Sequence, residues 1–164
     1  MGWTGETLSL LTALAVGLLI GIERGWQLRA APEGSRVAGV RTFSLLGLVA
    51  GVAGLLGQRG FSFAAGALLL SVGAILTAGY VMRMRQDGRP DATSAVAGVA
   101  VLALAFLAGL GSPALGFAGA TVVTLILAHL GRIGIIVDRV VDELEGDAEV
   151  AAIGLEGALL LFRA

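Results

Sequence analysis

The chain has 164 residues, of which 57% are hydrophobic and 14% are charged, and its mean hydropathy is +0.92. A soluble domain is about 45–50% apolar and about 25% charged, so a soluble globular fold could not bury this much apolar surface. The eleven basic residues are all arginine, and most of them are divided among short connecting segments; there is no cysteine. This composition excludes disulfides, thiolate metal sites and the basic stripe of a nucleic-acid-binding protein.

The apolar residues form successive runs of about 15 to 20 residues, separated by arginines or by glycine and proline. This pattern predicts an all-α fold, a polytopic transmembrane helix bundle of about five spans. The first helix is predicted to begin at Thr4, with Glu6 in its first turn, and to end near Arg24. Its apolar part, residues 4–22, is close to the length of about 20 residues that crosses a bilayer, so Glu23 is expected near the membrane boundary. No positively charged region or cleavage site marks it as a signal peptide, and it is interpreted as a retained span.

An arginine-rich segment, residues 21–43, leads into a second helix predicted over residues 42–57. A third helix is predicted over residues 61–82, and the turn between the two is so short that they must form an antiparallel hairpin. A basic loop with turn-forming Asp-Gly and Arg-Pro steps is expected over residues 83–91.

Asp91 or Thr93 can cap a fourth helix, which is predicted to run to about residue 110. Pro113 suits the first turn of a fifth helix that reaches about Leu130. Residues 1–131 are thus expected to form the transmembrane domain.

The arginines near the helix ends number four in the first connection, one in the second, three in the third and none in the fourth. The positive-inside rule then predicts that the N-terminus lies outside and the C-terminus inside, the N-out/C-in arrangement of a multi-pass protein of the bacterial inner membrane.

Residues 132–164 are expected to form a cytoplasmic amphipathic helix and a short terminal apolar segment. Apolar residues recur at helical spacing within residues 136–144, and a helix that packs on the bundle is favoured over one on the lipid surface, because its polar face is mostly acidic. The apolar segment 158–162 is interpreted either as a short docking helix or as the start of a further span.

Glycines recur four residues apart in the first two helices, where small residues let helix backbones approach closely. Two interpretations follow, tight packing within one bundle and self-association into a homo-oligomer. The predicted helix-packing residues are Gly17, Gly21, Gly25, Gly47 and Gly51.

A few polar side chains lie at membrane depth in the third and fifth helices. Serine and threonine there usually bond to their own helix or to a neighbouring one, so this interpretation is favoured over a substrate path. His129 is the only histidine, and one imidazole makes no metal site, so neither a metal nor a cofactor is predicted. The polar residues are Ser71, Thr77, Tyr80, Thr121, Thr124 and His129.

Glu23 is expected at a helix C-terminus and Arg41 at a helix N-terminus, so each charge is opposed by the dipole of its own helix. Pairing between them would relieve both, and the sequence predicts that pair. It is interpreted either as an anchor at the membrane boundary or as part of an ion gate.

The run Gly17-Leu-Leu-Ile-Gly21-Ile-Glu23-Arg24-Gly25, followed by Gly39-Val-Arg41-Thr42-Phe43 and a glycine-rich second span, resembles the MgtC/SapB family of bacterial inner-membrane proteins. The pattern covers residues 14–57, with weaker similarity in the third span and at residues 91–95.

This resemblance implies about five membrane helices, and relatives that are tied to growth in low magnesium and to survival inside hosts. It implies no catalytic residues. The chain looks like the N-terminal membrane part of the larger family members, since it lacks a soluble C-terminal domain and stops where they enter further spans. The functional candidates on the matching positions are Glu23, Arg24, Arg41, Thr42, Asp91 and Thr93.

Two functions remain open. The first is a regulatory or interaction protein linked to magnesium homeostasis or stress adaptation, whose basic segment docks another membrane protein or anionic lipid. The second is a small dimeric transporter or channel. Transport usually demands an ionisable group at mid-bilayer, and no predicted span has one, which favours the first. No nucleophile–base pair is present, so the chain is not expected to be an enzyme.

Overall fold

A computed structural model describes residues 3–27, 29, 39–87 and 92–129. These residues form five α-helices, and no strand occurs among them, which confirms the all-α class. The helices are α1 (Trp3–Gln27), α2 (Val40–Gln58), α3 (Ser62–Asp87), α4 (Ala92–Gly109) and α5 (Pro113–His129).

The chain divides into two compact units, Met1–Ala128 and His129–Ala164. The first unit contains the helices described below. Apart from His129, the second lies outside the described residues, and so do the predicted amphipathic helix at 136–144 and the apolar segment at 158–162.

Four of the helices, α1 to α4, are long and apolar enough to cross a membrane. The fifth, α5, is apolar but has only 17 residues, which at about 1.5 Å per residue is at the short end of what spans a hydrocarbon core of about 30 Å. The helical membrane bundle predicted from the apolar runs is therefore confirmed.

The helix bounds depart from the prediction mainly at the ends that carry charge. Helix α1 continues beyond Arg24 to Gln27, and α3 continues beyond Met82 to Asp87. Residues 83–87, predicted as loop, are therefore helical. Arginine, methionine and glutamine are good helix formers, so a helix need not end where its apolar run ends.

Two glycines close the tight turns between helices. Gly60, after α2, has φ of 86°, and Gly111, after α4, has φ of 95°, a region that other residues rarely adopt. In the first turn the Gly60 N–H donates to the Gly57 carbonyl and the Phe61 N–H to the Leu56 carbonyl, which is the Schellman pattern. These turns make α2 antiparallel to α3, and α4 antiparallel to α5.

The interior is built mainly from α1, α2 and α4, with Ala120 and Leu127 of α5 also buried in it. The backbones of α1, α2 and α4 touch at glycines. A Cβ atom on Gly17 would collide with the Phe43 carbonyl oxygen, and one on Gly47 with the Ala13 carbonyl oxygen. At the interface between α2 and α4, a Cβ on Gly109 of α4 would collide with the carbonyl oxygen of Gly51. Glycine is thus required along both interfaces, and this packing is within one chain.

Helix α3 is packed differently. Its glycines, Gly66, Gly73 and Gly79, have no atom of another element within 4 Å of an added Cβ, and most of its apolar side chains are exposed. Exposed apolar surface on a membrane helix faces lipid, so α3 lies at the edge of the bundle, beside α2.

Candidate functional site

The buried face of α1 is apolar for most of its length and ends in two charged residues. Val16 and Ile20 are fully buried, and Glu23 and Arg24 follow Ile20 at the three- and four-residue spacing that keeps them on the same face. The side chain of Glu23 is 9% exposed and that of Arg24 is 7% exposed. The helical period therefore directs both charges into the bundle, although they lie near the end of the span.

Arg24 connects the end of α1 to the beginning of α4. Its Nη2 atom donates a hydrogen bond to the Ser94 hydroxyl oxygen at 3.3 Å, and Ser94 is itself 4% exposed. Ser94 lies on the core face of α4, three and seven residues before the buried Ala97 and Val101. We call Glu23, Arg24 and Ser94 the buried charge cluster.

The Glu23 carboxylate is incompletely bonded within this cluster. Gln27, one turn further along α1, and Arg24 lie close enough to act on it electrostatically, but neither carboxylate oxygen accepts a hydrogen bond of good geometry from a described residue. The Arg24 Nε–H is likewise buried and unbonded, although its guanidinium has other partners. Burial of charge without full hydrogen bonding is costly, so these residues destabilise the fold locally.

The predicted ion pair between Glu23 and Arg41 is wrong. Val40 and Phe43 face α1. A Cβ atom added to Gly21 would lie 2.9 Å from the Phe43 Cβ and 3.2 Å from the Val40 Cα. Arg41 is rotated by about 100° from Val40, and its side chain is exposed. The helical rotation, which the dipole argument ignored, separates the two charges.

The other candidates differ in where the structure places them. Thr42 and Thr93 are exposed, and Asp91 lies outside the described residues. Ser94, which sequence reasoning did not select, is the polar residue that the fold buries. The sequence does contain a signal for this burial, because small and apolar residues follow Ser94 at the helical spacing of three, four and seven residues.

The predicted packing glycines hold the cluster in place. A Cβ on Gly21 would lie 2.9 Å from the Phe43 Cβ, and one on Gly25 would lie 3.2 Å from a Val40 methyl group. These contacts bring the beginning of α2 against the last two turns of α1, where Glu23 and Arg24 are located. The glycine faces of α1 and α2 are therefore occupied by the chain itself.

Four of the six polar side chains predicted at membrane depth bond back to their own helices. Ser71 and Thr77 donate to the carbonyls four residues earlier at 2.7 and 2.8 Å, and Thr121 and Thr124 do the same at 3.0 and 2.8 Å. Three of these four are exposed on the outside of the bundle. This is the arrangement expected of hydroxyls satisfied by their own backbone, not that of a polar path between helices.

The opposite end of the bundle carries an exposed ion pair. Arg59, after α2, donates from Nη2 to both carboxylate oxygens of Glu6 at 2.9 and 2.8 Å. Gln58 donates to the Leu110 carbonyl at 3.3 Å, which links this end of α2 to the turn after α4.

Comparison with known proteins gives one match. The family model described as the MgtC family matches residues 10–135, which cover α1 from Leu10 onward, all of α2 to α5, and the buried charge cluster. No curated protein and no solved structure matches the chain. Because the matched region covers most of the sequence, and the helices have the length and apolarity of membrane spans, this chain is a membrane protein that belongs to the MgtC family.

Proposed function

We propose that this chain is a regulatory or interaction protein of the bacterial inner membrane, linked to magnesium homeostasis or stress adaptation, and not an enzyme or a carrier. The observation that carries this proposal is the closed packing of α1, α2 and α4. Their backbones touch at Gly17, Gly47 and Gly109, which closes the gap between neighbouring helices at these positions.

A transport path needs polar groups that face one another across a gap. Four hydroxyls at membrane depth, those of Ser71, Thr77, Thr121 and Thr124, bond to their own helices. The buried charges sit together at one end of the bundle. Intramembrane ionisable groups usually mark the functional site. The buried charge cluster is therefore the proposed site of regulation, at the junction of three helices.

The link to magnesium rests on the family. Glu23 and Arg24 carry the Gly-x-Glu-Arg part of the family resemblance, and the fold buries both at a cost in stability. Residues that break the usual rules of burial are candidates for function, because proteins tolerate such costs mainly at functional sites. In this proposal the cluster sets the relative position of α1 and α4, and a partner membrane protein responds to that position.

The proposed orientation is N-out/C-in, because arginines are concentrated in the first and third connections. It places the cluster at the cytoplasmic end. Reporter fusions at Gln58 and Ser112 should report the outside of the inner membrane, and a cytoplasmic signal at either position would reverse the topology.

Two assays test the function. Purified protein in liposomes that contain a magnesium-sensitive dye should pass no more magnesium than empty liposomes; flux that Glu23→Gln abolishes would establish a carrier instead. In a strain lacking its own copy, the native chain and Thr93→Ala should restore growth at low magnesium, whereas Glu23→Gln and Ser94→Ala should not, at equal membrane levels. Equal rescue by all four chains would remove the cluster from the function.

A further inference from the structure

A cavity of about 120 Å³ lies at the end of the bundle where Glu6 and Arg59 form their ion pair. It is lined by the first turns of α1, the end of α2 and the turn between α4 and α5, through residues that include Glu6, Ser9, Gln58 and Gly111. The buried charge cluster lies at the opposite end of α1 and takes no part in it. The cavity is large enough for a small polar group with a few carbon atoms.

Ser9 is a buried residue whose hydroxyl lines this cavity without a partner. It is only 4% exposed, and it forms no hydrogen bond with any residue that the structure describes. Other helical hydroxyls of the bundle donate to the carbonyl four residues earlier, namely those of Ser44, Ser71, Thr77, Thr121 and Thr124. A buried hydroxyl without a partner is costly, so Ser9 indicates that a polar group enters the cavity.

Glu6 adds a negatively charged acceptor to the same cavity. Arg59 contacts it with a single nitrogen, Nη2, which donates to the two carboxylate oxygens at 2.9 and 2.8 Å. A carboxylate has about four lone-pair sites, so these two bonds leave it able to accept others. Glu6 and Ser9 are three residues apart on α1 and therefore lie on one face of the helix. Together they favour a ligand that is positively charged and donates hydrogen bonds.

A primary ammonium group has the chemistry that these two acceptors require. It carries three N–H donors around one positive charge, so it can donate to Glu6 and to Ser9 at the same time. A quaternary ammonium group has the same charge but no N–H, and its methyl groups need more room. The cavity should therefore distinguish amines by their number of donors and not by their charge.

The surroundings of the cavity favour a lipid over a free amine as the source of this group. Arg59 is 56% exposed, and its Nε and Nη1 atoms form no hydrogen bond with a described residue, so they can bind a phosphate. Leu8, which also lines the cavity, and Leu11, one turn deeper along α1, are 56% and 58% exposed. They provide an apolar surface for the first part of an acyl chain.

We propose that this cavity binds the primary ammonium group of a phosphatidylethanolamine, whose phosphate lies on Arg59 and whose first methylene groups lie along Leu8. The four charges then alternate, in the order ammonium, Glu6, Arg59 and phosphate, so that each lies next to an opposite charge. The inference needs only a membrane-embedded chain, and it would hold for a regulator and for a carrier alike.

Trp3, the first residue of α1, is close in sequence to the residues that line the cavity and can report on lipid at this end. In a Trp26→Phe chain reconstituted in phosphatidylcholine vesicles, phosphatidylethanolamine with acyl chains brominated near the headgroup should quench Trp3 fluorescence at lower mole fractions than brominated phosphatidylcholine. The monomethylated and dimethylated headgroups keep the positive charge but lose N–H donors one at a time. The preference should therefore fall stepwise along this series, which uses one chain and does not depend on the folding of further variants.

Two substitutions locate the binding site. Ser9→Ala removes one acceptor, and the loss of a hydrogen bond to a charged group should lower the preference about tenfold. Glu6→Gln should lower it further, because it also removes the negative charge. Ser71→Ala is the matched control, since the Ser71 hydroxyl donates to the Ala67 carbonyl of its own helix, α3, and this change should leave the preference unaltered.

Three results would overturn the proposal. The first is equal quenching of Trp3 along the whole headgroup series, which would show that N–H donors are not recognised. The second is an equal loss of preference in Ser9→Ala and Ser71→Ala, which would separate the effect from the cavity. The third is abolition of the preference by free ethanolamine, which would indicate an amine site that does not require a lipid.

Discussion

At one end of the bundle two charged side chains are buried and incompletely bonded, whereas at the other end two charged side chains form an ion pair near the surface. Glu23 and Arg24 are less than one-tenth exposed, and both Glu23 oxygens lack a hydrogen bond from the described residues. Arg59 is 56% exposed, and it holds Glu6 through two hydrogen bonds. The two sets of charges therefore have different effects on stability. The pair of Arg59 and Glu6 links α1 to the end of α2 at little cost in free energy, whereas the buried Glu23 and Arg24 lower the free energy of unfolding.

The largest expected effect is that of Arg24→Ala. This change removes the buried donor to Ser94 and the positive charge beside Glu23, and it should cost about 3–5 kcal/mol in the free energy of unfolding. Arg59→Ala, the matched change at the exposed end, should cost less than about 1 kcal/mol. Titration with a denaturing detergent in mixed micelles measures both, and equal losses would end the distinction between the two ends.

The next effect has the opposite sign. Glu23→Gln removes a buried charge that lacks hydrogen bonds while keeping the size of the side chain, and it should raise the free energy of unfolding by about 1–2 kcal/mol. Glu6→Gln should lower it slightly, because that carboxylate is paired. A loss of stability in Glu23→Gln would mean that the carboxylate has a compensating partner in the membrane.

The contrast between the ends also shows what the sequence could predict. The apolar runs locate all five helices, because membrane spans need a fixed length of apolar chain. The same runs misplace the end of α3, since Arg83 and Arg85 extend the helix past its apolar part. Length and hydropathy describe depth in the membrane, and they do not describe the face of a helix on which a side chain lies.

The site depends on that face. Glu23 was predicted to pair with Arg41 from their helix dipoles and their shared depth, yet helical rotation turns one inward and the other outward. The hydrogen bond between Arg24 and Ser94 joins residues 70 positions apart, and no local pattern encodes which distant residue meets Arg24. The spacing of Ser94 within α4 indicates that it is buried, but only the packing of α4 against α1 identifies its partner.

A smaller effect is expected at Ser94. Ser94→Ala removes the acceptor of the Arg24 hydrogen bond, and because that bond is long at 3.3 Å, the loss should be near the lower limit for charged groups, about 1.5 kcal/mol. Thr93→Ala, the exposed neighbour, should change stability by less than about 0.5 kcal/mol. A loss at Thr93 as large as that at Ser94 would show that the beginning of α4, and not this contact, determines the effect.

The smallest effects are pairwise couplings. In a double-mutant cycle, Glu6→Gln and Arg59→Gln should show a coupling of about 0.2–1 kcal/mol that decreases as salt rises, because the pair is exposed and screened. The cycle of Glu23→Gln and Arg41→Gln should show no coupling at any salt concentration, since these side chains do not meet in the structure. A measurable coupling between Glu23 and Arg41 would mean that the buried carboxylate turns outward in the membrane and pairs with α2. The end with Glu23 would then alternate between two arrangements. In one, Glu23 is buried beside Arg24, and in the other it is paired with Arg41, whereas the pair of Glu6 and Arg59 at the opposite end would stay formed.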